Sequence, residues 1–410
     1  MAVVIKQNVP SYLAFLNILR VGGFFPCQKV ICDETGTYCI EPTKAKIQVL
    51  RYVVSTSILL ASIAFAITLI YDDQYDTMFE FYIELHRIGA SLTHSNFDFA
   101  VFMTLFAFIF VINITIQLKM HQSKNDFCSV HNYFKANSRI NPKFMLFVKK
   151  GFNYHLAKIA TLSLGFPTFI IGFTLSAIKA LNSNLLSFCP YIASWFLLIA
   201  WCFAPMVAFH MYFLEVALLL NGWILTLKDT LLNSHEPQSY FTECKVLLKG
   251  MNMFVNAISK TSFWLFNIML ILSIIEAYLI VAFFLSQDVI SLAIVLTMIG
   301  YGVFGMLFLF LVHQYCNFSQ VIKDFAEDIG NTIMDIQTST NDVSVIDGKS
   351  MKMKHVKKRI AKGFQEFQGF HGDGYYTLGK SLLTSIVANF VTYLIILIQF
   401  KVSEMSSTPQ

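Results

Sequence analysis

Charge is what this sequence has least of. Asp, Glu, Lys and Arg make up 13% of its 410 residues, about half of the roughly 25% typical of soluble globular chains. That shortage excludes a disordered protein, a coiled coil and almost any soluble enzyme. Catalytic signatures are missing too. There is no Walker loop, no His-Glu-x-x-His, no Gly-x-Ser-x-Gly and no kinase set, so no enzymatic reaction is assigned and no metal or cofactor is expected. The net charge of +5 is small, and no basic stripe alternates with aromatic residues, which removes nucleic acid as a partner. No segment repeats, which weighs against an inverted-repeat transporter. The opening residues, MAVVIKQNVPSYLAF, lack the parts of a secretory signal, so the first segment is expected to stay in the cytosol.

Apolar mass is what the sequence has instead. Hydrophobic residues reach 56%, Phe alone contributes 41 residues, and mean hydropathy is +0.59. A membrane span needs about 20 mostly apolar residues. Seven stretches qualify: Gln48–Tyr71, Phe97–Leu118, Leu156–Leu181, Ser187–Leu220, Phe263–Ser286, Val289–Cys316 and Thr377–Phe400. Pro167, Pro190 and Pro205 fall inside spans, where neighbouring helices can satisfy the freed carbonyls. Tyr75–His94 is amphipathic and charged, and reads as a loop or surface helix.

Lys and Arg then set the orientation. All but Arg87, Lys179 and Lys401 of the thirty cations fall on one side of a seven-span layout. By the positive-inside rule that side is cytoplasmic. The N-terminus is therefore inside and the C-terminus outside, opposite to a heptahelical G-protein-coupled receptor. The expected division is a cytoplasmic segment over 1–47, six spans over 48–316, a cytoplasmic loop with an anchor helix over 317–376, a seventh span over 377–400 and an extracellular tail over 401–410. The fold class is an all-α integral membrane protein.

This topology makes the cysteines simple to read. Cys27, Cys32, Cys39, Cys128, Cys244 and Cys316 lie in the cytosol or at its boundary, and Cys202 lies in a span. Thiols stay reduced there, so no structural disulfide is expected. The spacing Cys27-x4-Cys32-x6-Cys39 fits no zinc pattern. The sequons at Asn113 and Asn317 lie in a span and on the cytosolic side, and are expected to stay unmodified. His210, in mid-membrane, reads as a packing hydrogen bonder. In the last cytoplasmic loop, Phe318–Ile336 is helical in pattern, Gln337–Ser350 is polar, and Met351–Phe370 is basic and amphipathic. Met353, Val356, Ile360, Phe364 and Phe367 recur there at helical spacing, which predicts a helix packed against extensions of the spans.

The seventh span differs from the rest. Ser385, Asn389, Thr392, Ile396 and Gln399 recur every three or four residues and share one face. A polar stripe on a membrane helix faces protein or water. It is either glue between helices or, in several copies around an axis, the lining of a pore. At its end stand Thr392-Tyr393, five apolar residues and Gln399-Phe400. This run resembles the signature of the insect gustatory receptor family. The preceding GFHGDGYYTLGKSLLTS, the length, the seven spans and the cytoplasmic N-terminus agree with it. The resemblance is residue-specific over roughly Gly363–Phe400 and architectural elsewhere.

The resemblance implies a tastant-gated, non-selective cation channel of four like subunits, in the plasma membrane of gustatory sensory neurons. Its partners would be a small-molecule tastant, permeant cations, membrane lipid and like or related subunits. The last helix would line a central pore, and parts of the fourth to seventh helices would form a shared anchor. Gln399 and Phe400 take the place of the extracellular gate. Thr392 and Tyr393 take that of the signature pair, read as packing and orientation. No motif carries over to the ligand pocket, so its candidates come from polarity and depth: Asp98, Tyr191, Trp195, Glu276, Tyr278, Thr297 and Tyr301. An intramembrane carboxylate makes Glu276 the sharpest of them. Few polar groups per aromatic favour a bitter or other non-sugar ligand over a sugar. An odorant receptor subunit shares the topology and stays open beside the gustatory reading, as do a G-protein-coupled receptor and a transporter.

Overall fold

The computed structural model describes residues 19–31, 38–74, 111–137, 140–165, 167–168, 171–172, 175, 185–233, 240–286, 292–339 and 348–407. Asp98 and Tyr75–His94 lie outside these residues. Helices make up nearly all of it. In chain order they are α1 (Ala45–Gln74), α2 (111–122), α3 (Lys124–Asn137), α4 (Pro142–Ser163), α5 (Leu185–Asn233), α6 (Tyr240–Ser286), α7 (Leu292–Ser339), α8 (Gly348–Gln365) and α9 (Lys380–Ser407). Two small hairpins complete the set: β1 (Cys27–Ile31) with β2 (Tyr38–Pro42), and β3 (His371–Gly372) with β4 (Tyr376–Thr377). Both are antiparallel, with Cys27 opposite Pro42 and His371 opposite Thr377.

Four described segments are long and apolar enough to cross a membrane: Phe203–Leu231, Tyr240–Ala282, Val295–Asp335 and Lys380–Ser403. The helices that carry the first three are far longer than a crossing requires. α5, α6 and α7 have 49, 47 and 48 residues, or about 70 Å each, against a hydrocarbon layer of about 30 Å. The fifth apolar stretch starts at Phe263, yet its helix starts at Tyr240. The sixth ends at Cys316, yet its helix runs on to Ser339. Phe318–Ile336, expected at the start of a separate loop, is thus a direct continuation of α7.

The extensions pack around an aromatic core. Phe213 is fully buried and lies against Tyr315, Phe254 and Phe370, with ring centroids 4.2, 5.8 and 5.6 Å away. Phe134 reaches Trp223 and Phe254 edge-on. α8 packs against α6 and α7. Ile360, Ala361 and Phe364 are its buried apolar residues, and Phe367, just past its end, is buried too. Val356 is 50% exposed, contrary to the expected stripe, and Lys357 takes the inward position. Its ammonium lies 4.5 Å from the Phe241 ring centre, so a cation over an aromatic face replaces the aliphatic contact. Where α8 crosses α7, a Cβ on Gly330 would come within 2.8 Å of Gln365 and 2.9 Å of the Ala361 carbonyl. The two helices therefore approach closely only because residue 330 has no side chain.

The N-terminal hairpin docks on α3 through one amide. Asn132 donates to the Ile40 carbonyl at 2.8 Å and accepts from the Ile40 N–H at 2.9 Å. Beside it, the thiols of Cys27 and Cys128 meet at 2.9 Å, both buried and both free. Cys244 and Cys316 are free thiols as well. A tight turn leads into this hairpin. The Gly23 N–H bonds to the Arg20 carbonyl and the Phe24 N–H to the Leu19 carbonyl. Gly23 has φ +84°, and a Cβ there would lie 2.7 Å from the backbone nitrogen of Tyr52. Only glycine meets both conditions.

The last helix also departs from its expected bounds. Tyr376 and Thr377 are paired in β4, so α9 starts at Lys380, and it continues past Phe400 to Ser407. Part of the expected tail is therefore helical.

Candidate functional site: the outer face of the last helix

α9 has a buried edge and an opposite, uncovered one. Ile386 and Lys401 are buried, and Phe390, Leu394, Leu397 and Ile398 are half-buried. At 100° per residue these cluster on one side of the helix. Ser385, Asn389, Thr392 and Gln399 are exposed on the other side, with Ile396 at 40% and Phe400 at 61%. The polar stripe read from the sequence is therefore one face, turned away from the chain's own bundle. Within it, the hydroxyls of Ser385 and Thr392 donate back to the carbonyls of Ser381 and Ala388 at 3.2 and 2.9 Å. Such bonds lower the cost of a hydroxyl in an apolar setting without using a second helix. Tyr393 is 56% exposed. It flanks the stripe, and any packing role falls outside the single chain.

Lys401 could not be anticipated. It follows Phe400 directly and sat in the expected tail, yet it is 2% exposed and holds a polar or ionic contact. It continues the buried edge one turn beyond Leu397. The periodicity would have shown this only if the helix had been extended past Phe400.

The base of α9 is tied to the aromatic core. The Phe370 N–H donates to the Ser319 hydroxyl at 2.8 Å, and the Leu378 N–H donates to the Phe370 carbonyl at 2.7 Å. Tyr376 donates to the Phe263 carbonyl at 3.3 Å and lies 5.8 Å from the Phe266 ring. The short β3–β4 hairpin thus fixes the entry of α9 onto α6.

The pocket candidates divide. Glu276, Tyr278 and Thr297 are buried in the packing of α6 and α7. The Glu276 carboxyl faces α7, with one oxygen 2.9 Å from where a Gly305 Cβ would stand. That oxygen, Oε2, has no hydrogen-bond partner among the described residues, whereas Tyr278 and Thr297 are each engaged in a contact. Tyr191 and Trp195 lie on α5 and Tyr301 on α7, but their side chains, like all of Asp98, fall outside the described residues.

Several buried polar ties were less visible in the sequence. His210 contacts the Tyr315 hydroxyl at 3.1 Å, the packing role its position suggested. Gln314 bonds to His155 one residue away from that pair. Asn113, noticed first as a sequon, donates to the Trp201 carbonyl at 2.6 Å and accepts from the Tyr52 hydroxyl at 2.8 Å. It is fully buried and unavailable to a glycan. Among the described residues, no three His, Cys, Asp or Glu side chains are grouped to hold a metal.

No protein-family model matches the sequence, and no curated protein matches it. Solved structures do. The chain is similar to the insect olfactory receptor OR5 from Machilis hrabei in complex with eugenol, with a TM-score of 0.60 and 12% identity. It is similar to a second structure of the same receptor at 0.60 and 13%. Each alignment covers 95% of this chain and 98% of the receptor. Likeness at that identity is a statement about fold. Over nearly its whole length, the chain shares the fold of that solved receptor.

Proposed function

We propose that this chain is one subunit of an insect chemoreceptor, a gustatory receptor acting as a tastant-gated, non-selective cation channel. The observation that carries the reading is the polar face of α9, turned outward from its own bundle. A lone chain would present those hydroxyls and amides to lipid, which membrane helices avoid. Four copies around an axis enclose them and form a wet path. Gln399 and Phe400 then stand at the outer constriction, with Ser385, Asn389, Thr392 and Ile396 along the pore below. Tyr393, on the flank, meets the neighbouring subunit.

Gating in this reading is a population shift. A small molecule that binds the open arrangement better draws the four last helices outward. Phe400 leaves the axis, and the apolar constriction wets and conducts. Selectivity is loose, because the lining offers hydroxyls and amides in place of a carbonyl filter. The ligand site lies in the outer half of the helices, with Glu276, Tyr278, Thr297, Tyr301, Asp98, Tyr191 and Trp195 as its candidate residues. The ligand is a bitter or other non-sugar compound.

An odorant receptor subunit is the second reading, favoured by the identity of the structural neighbours. The Thr392-Tyr393…Gln399-Phe400 run favours the gustatory one. Whole-cell current in cells expressing this chain alone, under a panel of sugars, bitter compounds and volatile odorants, tests both. A fast cation current evoked by a non-volatile tastant and altered in Gln399→Ala supports the channel and names its ligand class. A tastant-evoked current that Gln399→Ala leaves untouched refutes the pore assignment. A response to volatiles alone selects the odorant reading.

A further inference from the structure

Two thiols from positions 101 residues apart meet at the foot of the N-terminal hairpin. Cys27 opens β1, and Cys128 lies near the start of α3. Their sulfurs are 2.9 Å apart, with the Cys128 thiol directed at the Cys27 sulfur. The Cys27 thiol in turn donates to the Lys124 carbonyl, one turn back on α3, at 3.7 Å. Separate elements hold the two sulfurs in place. Cys27 is fixed by its register opposite Pro42 in the hairpin, and Cys128 by its helix. Asn132, four residues on from Cys128 and so on the same face of α3, grips both backbone groups of Ile40. Docking of the hairpin therefore sets sulfur against sulfur. A disulfide has its sulfurs about 2.05 Å apart, so less than about 1 Å of movement closes one here.

Burial governs when the pair reacts. The thiolate is the nucleophile in thiol oxidation, and burial pushes the Cys27 thiol up. Both residues are buried, so the docked hairpin shields them. A two-stranded hairpin is marginal on its own, and a unit of that size opens locally without unfolding the rest. Opening gives a small oxidant access to one thiol. Reclosing returns the two sulfurs to contact, so the step that joins them is intramolecular and favoured by proximity. The pair lies on the Lys-rich side, which the charge bias makes cytoplasmic. Thiols there are kept reduced, so a bond at this place is a response to oxidant and not a permanent staple.

We propose that Cys27 and Cys128 are an oxidisable pair, which hydrogen peroxide converts to a disulfide that fastens the N-terminal hairpin to α3. In the first step one sulfur, having given up its proton, attacks a peroxide oxygen. The O–O bond breaks, an S–O bond forms, and the departing hydroxide takes a proton to leave as water. In the second step the other sulfur displaces the hydroxyl of this sulfenic acid. The S–O bond breaks, the S–S bond forms, and the hydroxyl leaves as a second water with the second thiol's proton. Two electrons pass from the thiols to one peroxide, and a dithiol reductant reverses the change. The assignment depends on neither the tastant nor the pore.

The test uses the purified full-length protein in nanodiscs. It is treated with hydrogen peroxide, blocked with N-ethylmaleimide in denaturant, digested, and mapped by mass spectrometry without reductant. The expected product is a peptide linked through Cys27 and Cys128 that dithiothreitol separates. The linked protein should also melt at a higher temperature, because the bond closes a long loop. Peroxide should leave the melting temperature of Cys27→Ala and Cys128→Ala unchanged. Asn132→Ala keeps both thiols and removes both ties to Ile40. It should speed linkage roughly tenfold or more, since each hydrogen bond contributes about a factor of five to closure. The unaltered chain and this variant carry the test even if the alanine variants fail to fold. Thiols that stay reduced, or Cys27 linked to Cys32 or Cys39 instead, overturn the pair. Linkage at an unchanged rate in Asn132→Ala overturns the hairpin as what controls access.

Discussion

Phe370→Ala is the substitution that asks most of the structure. Phe370 is fully buried between α8 and α9, edge-on to Phe213 at 5.6 Å and to Phe254 at 5.2 Å. Removing a buried Phe ring typically costs 3–5 kcal/mol in lost transfer energy and cavity. Each aromatic pair carries about 0.5–1.5 kcal/mol beyond burial, and part of that lies within the first figure. About 4 kcal/mol is the working value. Unfolding entropy near 2.1 cal/mol/K per residue amounts to roughly 0.9 kcal/mol/K over this chain. The melting temperature should then fall by roughly 4–6 °C, and by more if the extensions of α5–α8 unfold as a unit of their own. Phe370→Leu, which keeps most of the volume, should cost less than half as much. The measurement is the loss of the monodisperse size-exclusion peak with temperature, in detergent. If Phe370→Ala melts within a degree of the unaltered chain, the ring is not the keystone that the packing makes it, and the coupling of α9 to the core must run elsewhere.

Three further outcomes follow from groups on the Lys-rich side. Burial, with Lys135 adding to it, pushes His131 down to about 4, although Glu215 lies 3.8 Å away and pulls the other way. The unfolded chain takes up this proton near 6.5 and the folded one only near 4, so the stability tied to neutral His131 is complete above pH 6.5 and is lost as pH falls toward 4. That loss approaches about 3 kcal/mol, and His131→Gln should flatten the melting curve against pH across this window; an unchanged slope would refute the assignment. Burial and the neighbouring Cys128 also push the Cys27 thiol up, so Cys27 should resist maleimide at pH 8 in the folded protein and react fully after denaturation. Asn132→Ala removes both hydrogen bonds to Ile40 and should free the β1–β2 hairpin, seen as faster amide exchange there with α6 and α7 unchanged.

How much of this was legible beforehand depends on what kind of force places each residue. Apolar runs marked the four described segments long enough to cross a membrane, because lipid acts on every residue in a window. The exposed stripe of α9 was legible for a related reason: Ser385, Asn389, Thr392 and Gln399 keep helical register through an otherwise apolar segment. Helix ends beyond the apolar runs were legible only in part: Phe318–Ile336 showed a helical pattern but not its continuity with the span before it. Tyr240–Lys260 and Asn317–Ser339 carry mixed polar and apolar residues, and their helicity comes from packing on one another. Val356 shows the limit of periodicity. It matched the stripe, but the Lys357 ammonium over Phe241 rotates α8 so that a cation takes the inward place. Asn113 and Cys128 were readable as residue types only; their partners, Trp201 and Cys27, are 88 and 101 residues away.

Phe370, just before α9, and Lys401, near its far end, bracket a helix that is held unevenly along its length. At the end nearer Phe370, two backbone N–H groups of the turn into the helix are held: that of Phe370 by the Ser319 hydroxyl and that of Leu378 by the Phe370 carbonyl. Along the middle, Ile386 is buried and Phe390, Leu394, Leu397 and Ile398 are half-buried, where α9 packs on α6 and α7. At the outer end Lys401 is buried again and engaged. A helix fixed at its base, half-buried through its middle and held again at buried Lys401 can pivot about the base at low cost, since few apolar contacts have to break. Lys401→Met tests the tether. It keeps the length of the side chain and removes the charge, so the global fold should hold while the outer end of α9 loosens. Spin labels at Val402 and Ile396 should then report greater spread at 402 than at 396. Equal spread at both positions, or none, would mean that Lys401 does not hold the tip.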